Sequence, residues 1–320
     1  MHHEAFWLNA SDATPLYVNR WFADEAPKAI VMIAHGMAEH SGRYGRLAAA
    51  LVQAGFAVYG HDQRGHGRSA EHGMLGHYSD QDGWSKVVSD LACINHHIRM
   101  QYPDTPIFLL AHSMGSYIGQ AYLMQHSCSL QGAILSGSNY QPLALYRMAR
   151  LIARFERWRQ GPTGQSALIE LISFGSFNKA FKPNRTRFDW LSRDPVEVDA
   201  YINDPLCGFR CSNQLWLDLL GGLLRITPPR NLTQIDCNLP LLVIGGACDP
   251  VSDGKRLADL ANALRAAGHT QVQLKIYPDA RHELLNESNR DDVTTDLIDW
   301  LEQALSHPRQ FHPQPQEKHP

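Results

Sequence analysis

Short apolar runs recur along the chain, separated by longer stretches in which apolar and polar positions mix. Lys28–Ala34 (KAIVMIA), Phe56–Tyr59, Pro106–Leu110 (PIFLL), Gly132–Leu135, Leu241–Ile244 and Val272–Ile276 have the length and apolar character of buried strands. Between them, helices are predicted over Gly42–Ala54 (stopping at Gly55), Trp84–Met100, the segment from Ser113 to about His126, Arg256–Ala267 and Asp291–Leu305. Strands alternating with helices through short loops imply an α/β fold, with a mostly parallel sheet and helices on both faces.

The alternation breaks between Gln141 and Arg230, where helical patterns follow one another with no convincing strand. Asp194 is placed to cap a helix that has Pro195 at its first position, and another helix runs over Ser212–Arg225 until Pro228-Pro229 stops it. The expected organisation is a core in two parts, 1–140 and 231–306, with a helical cap at 141–230 over the strand ends and a disordered Pro- and His-rich tail at 307–320. The first cap helix, Leu143–Arg159, carries Arg147, Arg150, Arg154 and Arg157 on one face and Leu145, Met148, Ile152 and Phe155 on another. The bland reading puts this apolar stripe on the core. The alternative is peripheral contact with the inner surface of a membrane, arginines among the head groups.

Composition narrows the class. In 320 residues, 44% are hydrophobic and 19% charged, and the net charge of −3 lacks the basic footprint of a nucleic-acid binder. The N-terminus has no basic segment followed by an apolar run, and no stretch reaches the roughly 18 apolar residues of a spanning helix. Six scattered cysteines contain no C-x-x-C pair, so the expectation is reduced, buried thiols in a cytoplasmic protein, with no zinc site.

Ala111-His112-Ser113-Met114-Gly115 lies between an apolar strand and a helix, in the form small-x-Ser-x-Gly. Such a turn strains the serine backbone and lifts its hydroxyl above the sheet. A serine needs a base, and in this arrangement the chain order is nucleophile, acid, histidine. His282 follows the strand ending at Ile276, on the edge where Ser113 is expected. His269 precedes that strand, and His307, His312 and His319 lie beyond the last helix. Asp249, just after LLVIGG, is the acid that would hold the imidazole; Asp253 is the rival, better suited to capping the next helix. Oxyanion donors are expected at the N–H of Met114 and of Met37, in the loop His35-Gly36-Met37.

HGMAEHSGRY, GHDQRGHGRS, AHSMGS, GGACDPVS and YPDARHELLNE together resemble the monoacylglycerol lipase and lysophospholipase branch of the α/β-hydrolases, serine hydrolases of bacterial type, over residues from about Phe6 to Leu305. The resemblance implies cleavage of single-acyl-chain lipid esters through an acyl-enzyme, without cofactor or metal. It also implies Ser113, Asp249 and His282 as triad, Met37 and Met114 as oxyanion donors, and an apolar acyl tunnel in the cap. His61, Asp62, Arg64, His66 and Arg68 are expected to form a hydrogen-bonded structural loop, His35 and His40 to brace the oxyanion loop, and His112 to be a packing residue. Two other functions stay open. An aminopeptidase-type hydrolase needs cap carboxylates for a substrate ammonium, with Glu170, Asp189, Asp194, Glu197 and Asp199 as candidates. A non-catalytic ligand-binding protein on this fold loses a triad member, and none is missing.

Overall fold

In the computed structural model, residues 1–252, 255–307 and 309 are described. The strands are β1 (His2–Asn9), β2 (Pro15–Phe22), β3 (Ala29–Ala34), β4 (Phe56–His61), β5 (Ile107–His112), β6 (Gly132–Ser136), β7 (Leu241–Gly246) and β8 (Val272–Tyr277). They form one sheet in the order β1-β2-β4-β3-β5-β6-β7-β8. All neighbours from β4 to β8 pair in parallel, and β1–β2 and β2–β4 pair antiparallel.

The helices are α1 (Gly45–Gln53), α2 (Gly83–Gln101), α3 (Met114–His126), α4 (Leu143–Gln160), α5 (Ala167–Ser173), α6 (Pro195–Asn203), α7 (Asn213–Ile226), α8 (Pro229–Leu232), α9 (Arg256–Ala266) and α10 (Arg290–Leu305). β3 shows why both faces must be covered. Ile30, Met32 and Ala34 pack into a core shared with α2, α3, α7 and α9, while Ala29, Val31 and Ile33 pack into a second core with α1 and α10. A strand buried on both faces is apolar at every position, hence the uninterrupted runs in the sequence.

The expected elements begin at Lys28, and the structure adds β1 and β2 ahead of it. β1 is largely exposed, and β2 opens on a proline with Leu16 and Val18 alternating inward, a weaker pattern than a central strand. The helix expected over Gly42–Ala54 is divided into a 3₁₀ turn at Ser41–Tyr44 and α1, and it ends at Gly55, whose φ is +86°. Between β6 and β7 the described residues are helices and loops. Asp194 caps α6 by accepting from the Val196 N–H at 2.9 Å, with Pro195 next in line, and Ser212 caps α7.

α4 is not seated as the sequence suggested. Its buried side is Tyr146, Ala153 and Glu156, packed toward α7; the arginine face is exposed, with Arg157 donating to Gln214 on α7, and Leu145, Met148 and Phe155 of the apolar stripe face outward. Met148, Leu151, Phe155 and Trp158 are 53–80% exposed. The reading that puts the stripe on the core is thereby overturned. The thiol expectation is also corrected: among the described residues all six cysteines are free, but only Cys207 and Cys211 are buried, and Cys128, Cys237 and Cys248 are exposed. The rival acid Asp253 and most of the tail from 307 lie outside the described residues.

Candidate active site

β5 ends at His112, and the chain turns through Ser113 directly into α3. Ser113 has φ 52° and ψ −120°, a conformation that costs a side-chain-bearing residue free energy and is held by its surroundings. Its N–H donates to the Ser136 carbonyl at 2.8 Å, and its carbonyl accepts from the Ser116 N–H and hydroxyl. Gly115 lets helix and strand approach: a Cβ there would stand 2.2 Å from the Ala34 carbonyl oxygen.

The structure brings Ser113, His282 and Asp249 into one row. The serine hydroxyl donates to Nε2 of His282 across 2.8 Å, and Nδ1 of the same ring faces both carboxylate oxygens of Asp249 at 3.0 Å. A carboxylate only accepts, so Nδ1 carries the proton and Nε2 is left free to accept one. Both partners are buried, and the imidazole packs against the rings of His112 and Trp190 with centroids 4.8 and 5.1 Å away. Burial alone would pull the imidazolium pKa down. The charge and hydrogen bond of Asp249, with Glu283 and Glu39 behind them, outweigh burial and leave it raised above the ordinary imidazole value.

Met37 lies in the loop after β3 and lines the cavity above Ser113. The loop is pinned on both sides of Met37. The Gly36 N–H donates to Glu39, and the Ala38 carbonyl accepts from the Tyr201 hydroxyl and the Gly208 N–H, each at 2.9 Å. His35 braces it from below, bonded through Nδ1 to the Gly36 carbonyl and through Nε2 to the Gln63 N–H. Met114 is the first residue of α3, where helical N–H groups have no partner within the helix, and its sulfur accepts from the Tyr78 hydroxyl.

A cavity of about 290 Å³ opens over these groups. Its wall is largely apolar and comes mainly from the segment between β6 and β7, including Leu171, Phe174, Trp190, Leu191 and Trp216. That segment is fastened to the His282 loop. The His282 N–H meets the Trp190 carbonyl at 3.4 Å, Glu283 N–H donates to Leu191, Arg281 donates to the Ser192 carbonyl, and Arg193 pairs with Glu287.

The family model described as serine aminopeptidase, S33 (Hydrolase_4) matches residues 25–289. The chain belongs to this α/β-hydrolase family, on its monoacylglycerol-lipase-like branch. It is 30% identical to a monoacylglycerol lipase of Mycolicibacterium smegmatis, over 88% of this chain and 90% of that one. It is also 30% identical to the monoglyceride lipase of Mus musculus, over 93% and 88%. Among solved structures, a thermostable carboxyl esterase from Bacillus coagulans superposes with a TM-score of 0.88 at 25% identity, covering 95% of this chain and 99% of that one.

In this hydrolase the polar loop after β4 is structural. Asp62 accepts from the Ser41 N–H and hydroxyl and from the Arg68 N–H, and Arg64 joins Asp90 to Asp12. Burial pushes His61 and His66 down to about 3, so both rings stay neutral. Among the described residues, His40, Asp204 and Cys207 bring metal-capable atoms within 4.8 Å of one another, and His40 already bonds Asp204 at 2.8 Å. His112 is buried with its ring packed on His282, as expected of a packing residue, and it also lines the cavity. Glu39 and Glu283 also line the cavity, with Arg43 bonded to both, and in the sequence the three stand only inside longer motifs.

Proposed function

We propose that the protein is a serine carboxylic-ester hydrolase of single-acyl-chain lipids, monoacylglycerol first and lysophospholipid second. The observation that carries this reading is the 2.8 Å contact of Ser113 Oγ with His282 Nε2 at the floor of a largely apolar cavity. Ser113 Oγ attacks the ester carbonyl carbon as His282 takes its proton, and the N–H groups of Met37 and Met114 receive the oxyanion. His282 returns the proton to the departing glycerol oxygen, leaving an acyl-serine. Water then gives a proton to His282 and attacks the acyl carbon; the bond to Ser113 Oγ breaks, His282 returns the proton to Oγ, and the fatty acid leaves. Asp249 holds the tautomer and stabilises the imidazolium, and the residues between β6 and β7 serve as the cap over the acyl chain.

The aminopeptidase reading requires a cap carboxylate free to hold an ammonium. Among the five candidates Glu170 lines the cavity, and it is paired with Arg210. Asp194 pairs with Arg290, Glu197 with Arg46 and Asp199 with Arg185, and Asp189 accepts backbone N–H groups. The outward apolar stripe of α4, beside its arginines, and exposed Leu168 and Leu171 on cavity-lining α5 support peripheral contact with an anionic bilayer.

The test is a hydrolysis panel of monoacylglycerols, lysophosphatidylcholine, triacylglycerol and aminoacyl amides, run with wild type and Ser113→Ala. Monoacylglycerol turnover lost in Ser113→Ala, together with fluorophosphonate labelling, supports the reading. Amide cleavage above ester cleavage, or labelling that survives the substitution, overturns it.

A further inference from the structure

We propose that Arg43 is a positioning residue for the ester-hydrolysing site, holding the Met37 loop and the His282 loop in one register through Glu39 and Glu283. The inference rests on the roles given above to Ser113 and His282.

Three side chains from separate places meet here. Glu39 follows Met37 in the loop after β3, Arg43 lies in the 3₁₀ turn before α1, and Glu283 is the neighbour of His282. Arg43 Nη1 donates to Glu39 at 2.8 Å and to Glu283 at 2.7 Å, and Nη2 donates to the second Glu283 oxygen at 2.7 Å. The other oxygen of Glu39 accepts from the Gly36 N–H and the Tyr44 hydroxyl, so one end of the bridge is fixed to the residue beside Met37. At the other end Glu283 accepts from Asn286 and donates its own N–H to Leu191. The guanidinium lies 4.8 Å from the centre of the Tyr201 ring, whose hydroxyl holds Ala38.

All three side chains are nearly buried, at 11%, 4% and 7% exposure for Arg43, Glu39 and Glu283. A buried ion pair seldom adds stability over apolar packing of the same volume, so stability alone gives no reason for three charges here. Apolar packing could supply neither the bidentate geometry nor the charge. Two carboxylates against one guanidinium leave a net negative charge near His282, which must become an imidazolium in each turnover. The charged or titratable groups facing that ring are Asp249, Glu283, Glu39 and His112, and burial holds His112 down at about 4, hence neutral.

The test compares Glu283→Gln, Arg43→Ala and Arg43→Lys with wild type and Ser113→Ala, measuring kcat, KM, the pH–rate profile and melting temperature of the full chain. Glu283→Gln retains an amide oxygen for Arg43 but loses the charge. It should lower kcat by about tenfold to a hundredfold with KM nearly unchanged, and move the acid limb to lower pH. Arg43→Ala should lower kcat at least as far, and Arg43→Lys should recover part of it. A Glu283→Gln enzyme that melts lower yet keeps wild-type kcat and pH limb would reduce the bridge to a structural tie. It decides the matter even where Arg43→Ala does not fold. Activity surviving in Ser113→Ala would instead mean that the site reading itself has failed.

Discussion

A methyl group placed on Gly119 would come within 2.9 Å of Cβ of Ala111, the small residue two before Ser113. Glycine at 119, on the second turn of α3, therefore makes room for the alanine at 111. Gly119→Ala gains about 1 kcal/mol of helix propensity and loses about 1–3 kcal/mol to overpacking. The variant should melt at or below wild type, and adding Ala111→Gly should raise it. Gly115→Ala, which drives Cβ onto two backbone carbonyls, should melt far lower than either. Thermal denaturation of the four proteins checks the order.

The pH dependence of turnover follows from His282. Its raised pKa places the acid limb of kcat/KM above the ordinary imidazole value of about 6.5, since the protonated ring cannot accept the serine proton. His61 and His66 near 3 and His112 near 4 stay neutral through this range, so the limb should fit a single ionisation. Two ionisations of comparable weight between pH 5 and 8 would contradict the assignment.

The same neutral histidines govern acid stability. Their folded pKa values lie below the unfolded value, so their contribution is complete above about 6.5 and is lost as pH falls toward 3–4. Melting temperature should drop steadily across that window. Among the described residues neither ring nitrogen of His61 has a hydrogen-bond partner, so His61→Phe should flatten the slope. An unchanged slope in this variant would assign the acid lability elsewhere.

Acyl-chain length should set efficiency. Each methylene buried in the cavity contributes about 0.8 kcal/mol, roughly fourfold in kcat/KM, until the apolar wall ends. Efficiency should climb with chain length and then fall, and Leu171→Trp should move the maximum to shorter chains. A p-nitrophenyl ester series measures this directly.

Liposome binding tests the outer face of α4. Co-sedimentation should require anionic lipid, weaken with salt, and fall in the double variant Arg150→Glu, Arg154→Glu. Trp158→Ser should weaken it without changing the hydrolysis of a soluble ester, because Trp158 is 80% exposed and outside the cavity lining. Equal binding to neutral and anionic vesicles would leave the arginines without a role.

The central strands and the row of Ser113, Asp249 and His282 were legible because each leaves a local mark. A strand covered on both faces must be apolar throughout, and a nucleophile turn must place small residues at set spacings. The N-terminal hairpin left a weaker mark, since β1 is mostly exposed and carries histidine and glutamate. The faces of α4 were visible, but not which one would be buried. The choice is made by α7, which takes the side of Tyr146, Ala153 and Glu156 rather than the apolar stripe. The contact of Arg43 with Glu283 joins positions 240 apart, and only the folded chain brings them together.

The hydrogen bonds from His282 and Glu283 to Trp190 and Leu191 have a consequence for how such a site can change over evolutionary time. Two stretches of cavity wall are exposed to selection on unequal terms. A substitution that reshapes the cavity by shifting the Trp190 backbone should also drag His282, so a new chain-length preference gained there should come with slower chemistry. A substitution at Leu171, on α5, reshapes the wall without a hydrogen bond to the histidine loop. Divergence in substrate range should therefore concentrate on α5, with 189–194 holding still beside the histidine.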